Sequence, residues 1–210
     1  MFRQHAWESG SSWVADGAVR ALLANSDLRR NVRWKILPFA DPDGVAHGGV
    51  RFNRNGFDLN RNWDVRDPKR MPEITAQRQA MADWLKSGKT IDLFFTLHNT
   101  ETGEYLEAAP GAATKPELKN LAERFFNNLK DHTTFSPTRP LTIASATTTE
   151  GKPGRMTAVQ GLWHDFQIPG FLMEQRISMN PKLGHLPEIE DRLAFGPQLV
   201  QAIADTLTTP

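Results

Sequence analysis

Ile91-Asp92-Leu93-Phe94-Phe95-Thr96-Leu97 is a short apolar run that ends directly at His98. A run of that length reads as a buried strand, and its end is where an α/β sheet places chemistry. Pro169-Gly170-Phe171-Leu172-Met173 repeats the pattern and ends on Glu174. Val32-Arg33-Trp34-Lys35-Ile36-Leu37 alternates like a third strand and stops at Pro38. Helical spacing is found over 11–25, with Ser11 or Ser12 as cap, and over 73–86, with Gly88 as stop. Further helices are expected over 118–129, 156–166 and 187–207, the last with Gly196-Pro197 as the place for a kink. Residues 41–63 read as a loop rich in Gly and Asn, and 136–154 as a loop with one strand. Strands alternating with helices predict an α/β fold with a sheet covered on both faces, built as a single domain over 1–210.

Composition excludes several function classes. The formal net charge of +1 leaves no polybasic footprint for nucleic acid or an anionic membrane. The chain has no cysteine, which rules out disulfides and thiolate catalysis and leaves His and carboxylates as metal ligands. No apolar run approaches the roughly 18 residues of a membrane span. Arg3, His5 and Glu8 break any signal-peptide pattern, so a cytoplasmic location is expected.

The polar motifs point to one chemistry. His5-Ala6-Trp7-Glu8 is weak evidence alone, since His-x-x-Glu pairs arise readily by chance. Downstream come the turn Asp41-Pro42-Asp43-Gly44, then Arg51, then Gly56-Phe57-Asp58-Leu59-Asn60-Arg61-Asn62-Trp63, and finally His98 and Glu174. Two imidazoles and one carboxylate can fill three positions around Zn²⁺ and leave the fourth for a reactive water. The Arg and Asn side chains between them suit a carboxylate.

In this order and spacing the residues resemble the zinc carboxypeptidase family, with wording closest to its cytosolic-type branch. The resemblance implies one zinc ion held by His5, Glu8 and His98. With a single ligating carboxylate the ion keeps a net positive charge and can acidify its water. Asn60 and Arg61 match the clamp for a substrate's terminal carboxylate, and Arg51 the residue that polarises the scissile carbonyl, with Arg54 a nearby rival. Glu174 matches the general base. Trp63, Asp64 and the Asp41–Gly44 turn are expected to be structural, Gly56 to admit a tight turn. The implied activity is hydrolysis of the C-terminal peptide bond of a peptide or protein tail. The implied fold has a mixed, largely parallel sheet flanked by helices.

There are two departures. Family members place a Tyr roughly two dozen residues before the base, whereas the only tyrosine here is Tyr105, far upstream. The family also has strands ahead of the His-x-x-Glu pair, where Met1–Gln4 leave room for the last residues of one. The expectation is therefore an N-terminally abridged version or a fragment, with exposed strand edges and metal ligands close to a fraying end. Acidic tails are substrates in the cytosolic-type branch, and Lys152 and Arg155 are the pocket residues offered for them, with solvated loop charges the rival reading. Two alternatives stand beside the peptidase. One is a related zinc deacylase on N-acyl amino acids, like aspartoacylase and succinylglutamate desuccinylase; the other is an inactive remnant that binds a peptide tail or zinc alone.

Overall fold

The computed structural model describes residues 1–208. One sheet of four strands lies at its centre: β1 (Phe94–Thr100), β2 (Tyr105–Ala108), β3 (Thr142–Ile143) and β4 (Gly170–Arg176), in the spatial order β1-β4-β2-β3. β1 runs parallel to β4 and β2 parallel to β3, while β2 and β4 are antiparallel. The sheet is thus mixed and largely parallel. Seven helices accompany it among the described residues: α1 (Ser9–Ala24), α2 (Ser26–Arg30), α3 (Pro42–Ala46), α4 (Pro72–Lys86), α5 (Pro116–His132), α6 (Ala158–Phe166) and α7 (Ile189–Thr208).

The period of two along each strand divides the core between the two faces. Phe95, Leu97, Leu106, Phe171 and Met173 pack against Val14 of α1, Phe125 of α5, and Phe195 and Leu199 of α7. Phe94 and Leu172 point the other way, toward Ile74 of α4, Val159 and Leu162 of α6, and Leu59 and Trp63. His98, Tyr105, Glu107 and Glu174 share the parity of this second face. These polar residues and the α4–α6 layer therefore occupy the same side of the sheet.

On the first face, α1 and α7 touch through backbone. A Cβ added to Gly17 would lie 2.0 Å from the Leu193 carbonyl oxygen, and one added to Gly196 would lie 2.3 Å from the Ala18 nitrogen. Pro197 sits inside α7, and its missing N–H removes the usual partner of the Leu193 carbonyl. That carbonyl faces Gly17 instead. The helix continues through Pro197 to Thr208.

Several expectations need correction. Val32–Leu37 forms no strand ladder, because only Phe2 bonds along it: Phe2 N–H donates to the Leu37 carbonyl. The 91–97 strand begins at Phe94 and runs past His98 to Thr100. Neither Ser11 nor Ser12 caps α1, which starts at Ser9 after Glu8; Ser11 Oγ instead accepts from Arg3 N–H and donates to the Glu8 carbonyl. The Asp41–Gly44 turn is the start of α3, with Asp41 accepting from Gly44 N–H. β2 is an interior strand although no pattern in the sequence marks it as one.

The Gly17 contact yields a stability test. Gly17→Ala should destabilise the fold by about 1–3 kcal/mol, the usual cost of forcing a methyl group into a packed contact. Urea unfolding measures it directly. An unchanged midpoint would mean that α1 and α7 are not locked at this crossing.

Candidate functional site

Residues 1–8 hang from β1. Phe2 bridges Leu97 in parallel, the Met1 ammonium donates to the Phe95 carbonyl at 2.7 Å, and Leu97 N–H donates to the Met1 carbonyl at 3.1 Å. Arg3 then adopts a left-handed φ of 57°, and the chain turns across the end of β1. The Arg3 guanidinium fastens this turn to the Ala6 carbonyl and to Ser12 Oγ. His5 and Glu8 are thereby set over His98, and all three are buried.

Their ligating atoms face one another. His5 Nδ1 lies 2.7 Å from Glu8 Oε1, and His98 Nδ1 lies 3.0 Å from Glu8 Oε2. One donor atom from each of the three falls within 4.8 Å of the others. The remote nitrogens are engaged elsewhere: His5 Nε2 meets Asp58 Oδ1 at 3.0 Å, and His98 Nε2 meets Gln4 Oε1 at 3.0 Å. Outer partners of this kind fix ring orientation and tautomer for metal ligands. The donor set, two imidazoles and a carboxylate, fits zinc with a fourth position open.

The electrostatics fit as well. Burial opposes charge on His5, but hydrogen bonds and charge from Asp58 and Glu8 outweigh it and push the imidazole up to about 9. Burial likewise opposes the Glu8 carboxylate, and the charge of His98 with hydrogen bonds from both imidazoles holds it down to about 2. Glu174, in register beside His98 on β4, is pushed up by burial, and its Oε2 is buried without a hydrogen-bond partner. A buried carboxylate oxygen left free beside a metal-type cluster is available to take a proton.

The motif at 56–63 wraps around one carboxylate. Asp58 Oδ1 accepts from Asn60 N–H at 2.8 Å as well as facing His5, and Asp58 Oδ2 accepts from Arg51 Nε at 2.8 Å. Gly56 makes the entry turn with φ of 82°. Asn60 is buried, and its Oδ1 accepts from Ala158 N–H at the start of α6. That leaves its amide N–H groups for another partner. Trp63 is wholly buried and donates to the Leu59 carbonyl, while Asp64 accepts from Gly154 and Met156 N–H. Arg54 is exposed and pairs with Asp43, so Arg51 is the arginine joined to the metal-type cluster. Arg51, Asp58, Arg61, Lys152 and Arg155 line one cleft of about 710 Å³.

Three further residues at the site are not marked by the motif pattern alone: Asp58, Gln4 and Tyr105. Asp58 lay two positions before Asn60 in a motif already singled out, so its signal was available. Gln4 adjoins His5 and offered none. Tyr105 is distant from Glu174 in the chain, yet it is Glu174's antiparallel partner across β2 and β4. Burial, then the charge of Glu174, pushes its phenol up to about 12.

A mixed α/β sheet thus carries a buried His-Glu-His cluster, a carboxylate beside it and an arginine-lined cleft. A zinc carboxypeptidase family model matches residues 3–182, and the chain belongs to that family. It is similar to cytosolic carboxypeptidase 1 of Mus musculus, 34% identical over 97 residues, which cover 44% of this chain and 8% of that protein. A metallo-carboxypeptidase from Burkholderia cenocepacia superposes with a TM-score of 0.76 at 24% identity, over 99% of this chain and 56% of that one. A mutant of murine aminoacylase 3 superposes with a TM-score of 0.54 at 17% identity, over 97% of this chain and 62% of that one. The chain thus spans less than two thirds of each of these proteins.

Two measurements test the centre. His5 must lose its proton to bind a cation, so apparent zinc affinity should rise about tenfold per pH unit and level off near 9. Chelator competition across about pH 6 to 8 reads this slope, and a flat profile would remove His5 from the ligand set. Asp58→Asn should weaken zinc binding about 10- to 100-fold, the usual cost of losing a ligand's outer partner. Binding equal to that of the unaltered protein would mean that Asp58 does not orient His5.

Proposed function

We propose that this protein is a zinc-dependent carboxypeptidase that hydrolyses the C-terminal peptide bond of peptides or protein tails. The observation that carries the reading is the convergence of His5, Glu8 and His98 on one point, with the orphaned carboxylate oxygen of Glu174 next to them. In this reading those three residues hold Zn²⁺, which when bound supplies a Lewis acid for water and carbonyl. Glu174 takes a proton from the attacking water and returns one to the departing amine. Its burial raises its basicity toward the range such an exchange requires.

Arg51, held by Asp58, supplies positive charge where the carbonyl oxygen becomes negative. Asn60 and Arg61 bind the terminal carboxylate, the guanidinium through paired donors and the amide through its free N–H groups. The clamp restricts cleavage to the chain end. Lys152 and Arg155 extend the cationic lining of the same cleft, which favours tails carrying negative charge. No helix among the described residues is long and apolar enough to cross a membrane. A cytosolic setting is the companion proposal, supported by the cytosolic carboxypeptidase relatives.

A second reading, deacylation of N-acyl amino acids, is supported by the fold shared with the aminoacylase. It uses the same clamp, because an N-acyl amino acid also ends in a free carboxylate.

The decisive assay offers the zinc-loaded protein a panel of peptides and of N-acyl amino acids. Release of single C-terminal residues is expected, with Glu174→Gln lowering kcat by about 10²–10⁴-fold, the usual weight of a positioned acid–base group. Turnover confined to acylated amino acids would move the assignment to the deacylase. Full activity in Glu174→Gln would remove the proposed base.

A further inference from the structure

We infer that Gln4 is the positioning residue for His98: its amide passes the fixed polarity of the Leu59 carbonyl to the imidazole and leaves Nδ1 as the nitrogen turned to the cation. This rests on the reading of His5, Glu8 and His98 as metal ligands, and it assigns how one of them is oriented.

The direction of each hydrogen bond follows from what the groups can do. A carbonyl oxygen accepts and never donates. Gln4 sets its Nε2 against the Leu59 carbonyl and its Oε1 3.0 Å from His98 Nε2. Turning the amide over would press two oxygens together at Leu59, so the carbonyl permits one orientation. The Oε1 that then faces His98 also only accepts. His98 Nε2 must therefore carry a proton, and a neutral ring then has its lone pair on Nδ1. Nδ1 is the atom that lies 3.0 Å from Glu8 Oε2 inside the cluster. Thr96 Oγ1 lies 3.2 Å from the same Nε2. A hydroxyl can give or take a proton, so Thr96 follows the choice that Gln4 makes.

The start of this relay is firmly held. The Leu59 carbonyl accepts from Trp63 Nε1 at 2.7 Å as well as from Gln4. Leu59 and Trp63 are buried in the layer that packs against Phe94 and Leu172. Gln4 itself is only 1% exposed, so solvent does not compete for its amide.

The two imidazoles are thus oriented by different means. His5 leans on the carboxylate of Asp58, and His98 on a neutral amide. Both supports trace to consecutive residues, Asp58 by its side chain and Leu59 by its backbone. The loop that carries the proposed carboxylate clamp therefore sets both rings, and displacing its backbone would disturb both together.

The test uses the full chain loaded with Co²⁺, which suits the same imidazole and carboxylate donors and is paramagnetic. In proton NMR, the N–H of a cobalt-bound imidazole gives a strongly shifted signal that survives when a hydrogen bond protects it and disappears in D₂O. The unaltered protein should show two such signals, from His5 and His98. Gln4→Met keeps the side-chain length, removes both hydrogen bonds and leaves the Leu59 carbonyl its bond from Trp63. It should lose one signal and hold cobalt about 10- to 100-fold less tightly by chelator competition, the usual cost of losing a ligand's outer partner. The signal that remains reports a folded site. Gln4→Glu still presents an oxygen to His98, and should keep both signals and an affinity within about threefold of the unaltered protein. Thr96→Val leaves Gln4 in place and should also keep both. Two signals and unchanged affinity in Gln4→Met overturn the inference, as does loss of a signal in Thr96→Val, which would give the role to Thr96. Failure of the unaltered protein to bind cobalt would instead sink the metal-ligand reading, and the inference with it.

Discussion

The site is organised around the carboxylate of Asp58. One of its oxygens faces the Nε2 of His5 and accepts from the backbone of Asn60, while the other accepts from Arg51. A metal-ligand candidate, a carbonyl-polarising candidate and the start of the carboxylate clamp are thus referred to a single side chain. The environment keeps that side chain ionised: burial acts against it, and His5 and Arg51 hold it well below the ordinary carboxylate range. A neutral group there would lose its hold on His5 and Arg51 together. Coupling of this kind makes the positions of separate chain segments interdependent, which is what a site with sub-ångström tolerances requires.

Around this joint, the sheet fixes the remaining geometry. His98 and Glu174 come from neighbouring parallel strands, and Tyr105 joins them from an antiparallel one. Their shared face follows from backbone alternation alone, with no contribution from local loop structure. The His5–Glu8 turn is the part that depends on side chains, since Arg3, Ser11 and Gln4 each hold it by hydrogen bonds. Rigid strands supply one half of the cluster and a braced turn the other.

Much of this could be read from the residues. The apolar runs ending at His98 and Glu174 announced β1 and β4 because strands buried on both faces need no polar alternation. The long helices α1, α4, α5, α6 and α7 followed from their spacing, whereas α2 and α3, of five residues each, are too short to show a period. β2 escaped because Tyr105-Leu106-Glu107-Ala108 is too short and too mixed to stand out, and only its partner strands make it a strand. Val32–Leu37 erred the other way: it has the alternation of a strand, but a ladder is a property of two segments. At the site, spacing identified residue types for a known chemistry. The places of Asp58 and Tyr105 were not legible, because they are fixed only once β4 lies beside β2 and the 56–63 loop folds over His5.

The parallel ladder of β1 on β4 has a further implication. Leu97 pairs with Met173, His98 with Glu174 and Asn99 with Gln175, so the candidate base reaches the cation cluster through one permitted alignment. Sliding either strand by a single residue would turn Glu174 toward α5 and α7 and offer Gln175, an amide with no basic oxygen, in its place. The pleat thus acts as a combination lock. Only one setting brings the Glu174 carboxylate to the face that carries His98.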